Sequence, residues 1–176
     1  MEYGFGIFFS WWFTVIFLIF NYGLNFLFQT NFRYRFNKVP HLKFYSRLNT
    51  IFFYILLIFS SIIKLHFSIN FIIGIVIYIL GMLLYISSMY YFAINEFDKP
   101  VTSGVYKISR HPLYLGFFII YLGVFIATLN IFVLILNIVI SFISYKIAIQ
   151  EEIDCENMYM KEYQQYKLKV KRIINL

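Results

Sequence analysis

Charged residues are scarce in this chain: only 13% of its 176 residues are Asp, Glu, Lys or Arg, whereas 61% are hydrophobic and 23% are aromatic. A soluble domain of this size could not bury so much apolar surface. The composition therefore excludes an ordinary water-soluble fold and predicts a protein of the lipid bilayer.

Cysteine, proline and glycine are also few. Cys155 is the only cysteine and has no metal-type cysteine spacing before it, so we expect neither a disulfide nor a metal site. The chain has no Gly/Ser-rich or Pro-rich linker and no internal repeat, which indicates one domain over residues 1–176. Its start, Met1-Glu2-Tyr3, lacks the basic residues of a cleavable signal peptide, so we expect the first apolar run to be retained.

Five apolar stretches are long enough to cross the hydrocarbon core, which about 20 helical residues span. We expect an all-α membrane bundle of about five transmembrane helices, at residues 4–28, 48–66, 70–95, 112–128 and 131–149. The tail that follows repeats its larger side chains at three- and four-residue steps, at Glu152, Cys155, Tyr159, Tyr163, Tyr166 and Val170. This spacing predicts an interfacial tail helix over residues 151–172.

Basic residues are unevenly placed along the chain. Of the 15 lysines and arginines, only Lys64 falls on one side of the predicted bundle. The positive-inside rule then predicts an N-terminus outside and a cytosolic C-terminus. No groove-reading module accompanies the net charge of +7, so we expect attraction to anionic lipids and no nucleic-acid partner.

A polar motif, Val101 to Gly116, lies between the third and fourth spans, and Glu151-Glu152 follow the fifth. Pro112 suits the first position of a helix, which makes His111 the predicted N-cap. The free N–H groups of that helix start form a site for a carboxylate or phosphate. Each residue also has an ordinary structural explanation, such as a membrane anchor for Arg110 or the first turn of a helix for the acidic pair. Their joint occurrence on the cytosolic face favours a binding site.

These motifs resemble those of the isoprenylcysteine carboxyl methyltransferase family and its phospholipid methyltransferase relatives. The resemblance rests on Val-Thr-Ser-Gly-Val-Tyr, on Arg-His-Pro-Leu-Tyr-Leu-Gly, and on the Glu pair followed by two tyrosines. It implies an integral membrane enzyme that uses S-adenosylmethionine, with the cofactor site within residues 98–176. The cofactor contacts that it implies are Val101, Tyr106, His111, Pro112, Leu113, Tyr114 and Glu151.

The chain also departs from the family's pattern. Ile147 stands where eukaryotic members hold their substrate with an arginine, so Lys146 beside it and Arg110 are the candidate substrate contacts. Met160 stands where a glycine is usual. The first departure leaves the acceptor open between an isoprenylated cysteine carboxylate, a phospholipid amine and another amphiphile.

The chemistry of the acceptor decides which side chains are needed. Methyl transfer to a carboxylate neutralises two opposite charges, which a water-poor site favours, and it needs no base. A lipid amine must first lose a proton, for which His111 and Glu152 are the candidate catalytic groups. The aromatic rings of Tyr106 and Tyr114 can lie against the adenine by stacking or against the sulfonium by cation–π attraction.

Two other function classes remain as alternatives. Sterol and steroid reductases that use NADPH carry a similar C-terminal motif, but with Asn and Glu at the positions of Leu113 and Phe117. A non-catalytic membrane bundle would leave the polar cluster near Arg110 without a purpose. The sequence favours the methyltransferase over both.

Overall fold

The regular elements are helical throughout the part of the chain that this computed structural model describes, residues 10–29, 43–96 and 98–173. They are α1 (Trp11–Leu27), α2 (Lys43–Ser61), α3 (Ile69–Ile94), a 3₁₀ turn (Gly104–Lys107), α4 (Pro112–Thr128) and α5 (Ile131–Lys169). The all-α prediction is confirmed. Three of the helices, α2, α3 and α5, are long and apolar enough to cross a membrane, while α1 and α4 are apolar but slightly shorter.

The third and fourth spans agree closely with the sequence-based bounds. α3 starts and ends one residue before the predicted 70–95, and α4 has the predicted bounds. Ser68 begins α3 by accepting a hydrogen bond from the backbone N–H of Phe71. Leu129, with a φ of 49°, ends α4, and the side chain of Asn130 accepts from Phe132 N–H to begin α5. The connection between the two helices is the tight turn that the sequence predicts.

The bounds of α2 differ from the predicted 48–66, because the helix begins by Lys43 and ends at Ser61. Carbonyl groups at and just beyond the end of α2 accept hydrogen bonds from Ser10, the residue before α1. Both the backbone N–H and the hydroxyl of Ser10 donate to the carbonyl of Ile63, at 3.0 Å each, and the hydroxyl also contacts the carbonyl of Ser60. These bonds satisfy carbonyls at the helix end that would otherwise lack partners. Of the predicted first span, residues 4–9 lie outside the described residues.

The predicted separation of the fifth span from a tail helix at residue 150 is not observed. α5 runs without interruption through Glu151 and Glu152 and is broken instead at Met160, with φ 44° and ψ −118°, so that a second helical segment continues from this kink to Lys169. The physical reason is that no helix-breaking residue lies between the apolar run and the acidic pair. The helix therefore carries the acidic pair rigidly beyond the apolar run, and it ends at Lys169 instead of the predicted residue 172.

α3 and α4 pack with their backbones in close approach. A Cβ atom added at Gly123 would lie 2.5 Å from the backbone nitrogen of Tyr78, and one at Gly116 would lie 2.8 Å from that of Tyr85. Gly74 and Gly81 make the corresponding approaches from α3. Small residues of this kind let helices pack closely in a bilayer, where the hydrophobic effect does not drive helices together. This packing fixes the start of α4 beside the end of α3.

Candidate functional site

The loop before α4 is shaped by one glycine. Gly104 has a φ of 57°, and a Cβ there would overlap the ring of Tyr91. The side chain of Asn95, at the end of α3, donates to the hydroxyl of Ser103 at 2.8 Å. A side chain at residue 104 would be strained in this left-handed conformation and would meet the ring, so the loop requires glycine.

Tyr106 is buried under this loop and is fixed from two sides. Its hydroxyl lies 3.5 Å from the carbonyl of Ser88 on α3, and its own carbonyl accepts from the hydroxyl of Tyr166 at 2.6 Å. The sequence-predicted cofactor residue Tyr106 is therefore part of the contact between the loop, α3 and the end of α5.

His111 is the N-cap residue of α4, with Pro112 at the first helical position, as the sequence predicts. Its backbone N–H donates to the hydroxyl of Ser109 at 3.1 Å. Its side chain makes no capping bond and points to the acidic pair on α5 instead. Nε2 lies 3.2 Å from Oε1 of Glu152, and Nδ1 lies 3.5 Å from Oε2 of Glu151. One imidazole thus bridges both carboxylates.

Glu152 is the buried centre of the site, with 2% of its side chain exposed. Nε and Nη2 of Arg110 lie 3.1 Å and 2.9 Å from its Oε1. Arg172 approaches both oxygens, with Nε 2.9 Å from Oε1 and Nη2 2.9 Å from Oε2. Two guanidinium groups and an imidazole surround one carboxylate, which compensates the cost of burying its charge.

Glu151 occupies a more open position, with 32% of its side chain exposed. Its Oε1 accepts a hydrogen bond from the hydroxyl of Tyr114 at 2.8 Å. The rings of Tyr114 and His111 lie nearly parallel, with centroids 5.9 Å apart and planes at 19°. Glu151 is therefore the more open of the two carboxylates, and His111 and Tyr114 lie beside it.

The protonation of His111 is set by competing effects. Burial disfavours the charged imidazolium, but hydrogen bonds and charge from Glu151 and Glu152 outweigh burial and raise the pKa of His111 above its usual value. The site therefore favours a positively charged imidazole at neutral pH more than free histidine does.

The remaining sequence-predicted site residues differ in how far they are buried. Val101 and Leu113 are half-buried, and Pro112 is buried. Lys146 is exposed, and its Nζ lies 5.5 Å from the ring centroid of Phe142. Arg110 is 7% exposed, and its Nη1 donates to the carbonyls of Lys167 and Val170 at 3.1 Å and 3.0 Å. The guanidinium of Arg110 is thus occupied by groups of the protein itself.

Sequence reasoning missed Arg172 and Ser109 as members of this site. From the sequence, Arg172 is one of several basic residues in the predicted cytosolic tail. The positive-inside rule does not distinguish it from the lysines of the same tail. Its contact with Glu152 requires the chain to return from the end of α5 to the start of α4, and no local pattern in the sequence specifies that return.

Comparison with known proteins gives one result. The family described as phospholipid methyltransferase matches residues 69–162, from the start of α3 to just beyond Met160. No curated protein and no solved structure matches the chain. The matched range covers just over half of the chain and contains the motif, His111, Tyr114 and both glutamates. It supports a methyltransferase and gives no support to the reductase alternative. With this helical architecture and this site, the chain belongs to the phospholipid methyltransferase family of integral membrane methyltransferases.

Proposed function

We propose that the chain transfers a methyl group from S-adenosylmethionine to a lipid acceptor that stays embedded in the bilayer. The observation that carries the proposal is the grouping of His111, Tyr114 and Glu151 at the start of α4, inside the range that matches the family. The candidate acceptors are an isoprenylated cysteine carboxylate, a phospholipid amine and another amphiphile, and we argue for the first two.

The residues present fit the chemistry of this cofactor. S-Adenosylmethionine carries a carboxylate, an ammonium and a sulfonium, together with ribose hydroxyls. The partly exposed carboxylate of Glu151 can accept from the ammonium or the hydroxyls, and the backbone N–H groups at the start of α4 can attract the carboxylate. Tyr106 and Tyr114 provide aromatic walls. When bound, the cofactor supplies a methyl group on a positively charged sulfur, and the acceptor oxygen or nitrogen takes that methyl while the sulfur keeps the bonding electron pair.

The side chains around Glu152 have a different role in this proposal. Burial alone would raise the pKa of Glu152, but hydrogen bonds and charge from Arg172, His111 and Arg110 outweigh burial and hold this pKa well below its usual value, so the carboxylate is a poor proton acceptor. Arg110, whose nitrogens are all engaged, acts as a scaffold instead of binding the acceptor. The proton of an amine acceptor would therefore pass to His111 after the imidazole has released its own proton to water.

This assignment separates the two acceptors by pH. With an amine acceptor, the rate should rise as pH increases through the raised pKa of His111, because only the neutral imidazole can take a proton. With a carboxylate acceptor, no base is needed, and the same rise should be absent. Rate measurements over pH with each lipid therefore identify the acceptor chemistry.

The test of the proposal is methyl transfer by the purified protein in lipid nanodiscs. Donor with an isotope-labelled methyl group is supplied together with a prenylated cysteine or an ethanolamine phospholipid, and the lipids are analysed by mass spectrometry. We expect label in one of them, and weaker cofactor binding in Tyr106→Ala, His111→Ala and Glu151→Ala. Lys64→Ala, at an exposed residue between α2 and α3, serves as the control and should behave as wild type. Tight NADPH binding without binding of the methyl donor or its demethylated product would overturn the proposal.

Access to the site supplies a second check. Each CH₂ group that leaves the bilayer costs about 0.8 kcal/mol, so a lipid-tailed acceptor should reach the site from within the membrane. An acceptor analogue without its tail should lose most of its kcat/KM. Equal values for tailed and tailless acceptors would indicate an aqueous pocket.

A further inference from the structure

The residues that follow α5 return to the motif and lie across it. The backbone N–H of Arg110 donates to the carbonyl of Lys171 at 3.1 Å, and the hydroxyl of Ser109 donates to the carbonyl of Arg172 at 3.1 Å. We call residues 170–172 the C-terminal strap. The strap lies beyond residues 69–162, so the family match does not include it.

The side chain of Arg172 uses its three guanidinium nitrogens. Nε and Nη2 bind the two oxygens of Glu152 at 2.9 Å each, and Nη1 donates to the hydroxyl of Tyr145 at 3.0 Å. The guanidinium carbon also lies 5.3 Å from the centroid of the Tyr145 ring. Paired bonds to both carboxylate oxygens fix the orientation of Glu152 as well as compensating its charge.

The strap reaches His111 by two routes. Through the side chain, Arg172 holds Glu152, whose Oε1 lies 3.2 Å from Nε2 of His111. Through the backbone, the carbonyl of Arg172 binds the hydroxyl of Ser109, which accepts the backbone N–H of His111. The side chain of Arg172 binds Glu152 and Tyr145, so it acts on His111 through Glu152.

We propose that Arg172 is a positioning residue that fixes Glu152, and through Glu152 the imidazole of His111, for methyl transfer. The assignment to methyl transfer rests on the proposed function, but the fixing of His111 does not. A lysine could supply the charge of Arg172, whereas only the planar fork of arginine can bind both carboxylate oxygens and Tyr145 together.

The charge of Arg172 should control the titration of His111. The groups that face this imidazole are Glu151 and Glu152 from α5, Tyr114 from α4, and the two guanidinium groups that share Glu152. Loss of the positive charge of Arg172 leaves the charge of Glu152 less compensated. The imidazolium is then favoured further, and the titration midpoint of His111 should move to higher pH.

The first experiment reads this midpoint without any ligand, by NMR of histidine-labelled protein in detergent micelles. The chain has three histidines, and the signal lost in His111→Gln identifies the one of interest. We expect a higher midpoint in Arg172→Gln and a midpoint near wild type in Arg172→Lys, which keeps the charge. Lys161→Gln removes one positive charge from an exposed position of the same tail and should not move the midpoint.

The second experiment measures binding of the demethylated cofactor product by calorimetry. A charged hydrogen-bonded pair contributes about 1.5–3 kcal/mol, so Arg172→Gln should weaken binding by about 10-fold to 150-fold. Arg172→Lys should recover only part of the affinity because it lacks the fork. Lys161→Gln should bind like wild type.

Unchanged midpoints in Arg172→Gln, or equal shifts in the Gln and Lys variants, would overturn the positioning role. If Arg172→Gln does not fold, Tyr145→Phe frees only Nη1 of Arg172 and keeps its charge, so the midpoint should stay near wild type while product binding weakens by less than in Arg172→Lys. Wild-type product affinity in both Tyr145→Phe and Arg172→Lys would also overturn the role. A wild-type protein that binds neither cofactor nor product would refute the proposed function, while the NMR midpoints would still decide the effect of Arg172 on His111.

Discussion

Two adjacent glutamates of this protein have different surroundings, although a sequence motif treats them as a pair. Successive helical residues point about 100° apart, so the sequence predicts separate roles for Glu151 and Glu152. The structure places Glu152 among two arginines and His111, and leaves Glu151 partly open beside Tyr114. At the residue scale, Glu152 is expected to hold the site together and Glu151 to serve its ligand.

Isosteric substitution separates the two roles. Glu152→Gln removes the charge that compensates Arg110, so the free energy of unfolding should fall by about 3–5 kcal/mol, as when a buried ion pair loses one partner. Glu151→Gln keeps an oxygen for the hydroxyl of Tyr114 and should change stability by less than about 0.5 kcal/mol. Unfolding in mixed micelles measures both values.

Ligand binding per unit of folded protein gives a second measurement for Glu151→Gln. Glu151→Gln should weaken cofactor binding despite its normal stability. Normal binding by Glu151→Gln would show that the role implied by the family resemblance does not apply to this residue.

At the element scale, the close packing of α3 on α4 depends on glycine. Gly123→Ala would place a Cβ 2.5 Å from the backbone nitrogen of Tyr78, where no side chain can move aside. We expect a loss of about 1–3 kcal/mol in unfolding free energy, typical of overpacking.

Gly23, on α1, provides the matched control because an added Cβ there meets nothing within 4 Å. Gly23→Ala should stabilise the protein by about 0.5–1 kcal/mol through the lower flexibility of alanine in the unfolded chain. Thermal unfolding in detergent compares the two variants. Equal effects of the two substitutions would contradict the close approach of α3 and α4.

The break in α5 lies at Met160, one of the positions where the chain departs from the family's pattern. Met160 replaces the usual glycine, yet its backbone keeps φ 44° and ψ −118°, a conformation suited to glycine. A conformation of this kind costs a side chain about 1–3 kcal/mol. The neighbouring contacts at the end of α5, including the bond from Tyr166 to Tyr106, hold the bend in place.

Met160→Gly should therefore raise the thermal unfolding temperature, because it removes this strain. Met158→Gly is the matched control, since Met158 lies two residues earlier with helical geometry and is also exposed. That control should lose about 1 kcal/mol, the usual cost of glycine inside a helix. A lower unfolding temperature in Met160→Gly would show that the bend carries no strain.

At the scale of the whole molecule, the site forms because the start of α4 and the acidic pair of α5 lie at the same end of a helical hairpin. α4 and α5 run in opposite directions from the turn at Leu129. His111 is 18 residues before that turn and Glu151 and Glu152 lie 22 and 23 residues after it. At 1.5 Å per residue these distances along the two helices are similar, so the hairpin itself brings the groups together.

Labelling from either side of the membrane tests which end faces the cytosol. With Cys155→Ser as background, Lys161→Cys should react with an impermeant maleimide only after permeabilisation, and Lys64→Cys should react on intact cells. Both lysines are exposed. The positive-inside rule gives this expectation, and the opposite labelling pattern would reverse the predicted topology.

Much of this molecule could be predicted from local sequence. Hydropathy predicts α3 and α4 almost to the residue, because apolar length and a serine or proline at the helix start act within one segment. Pro112 likewise determines that His111 is an N-cap. The association of the motif with the Glu pair could be predicted because the two segments share one face of a short hairpin.

Only the tertiary structure decided which partners these residues have. Ser10, just before α1, bonds to carbonyls at and beyond the end of α2, and Arg172 joins the site because the chain turns back after Lys169. Both outcomes depend on a contact between residues far apart in the chain. A periodic pattern reports which residues share a face, but the burial of Glu152 between two arginines depends on how three segments of backbone meet in space.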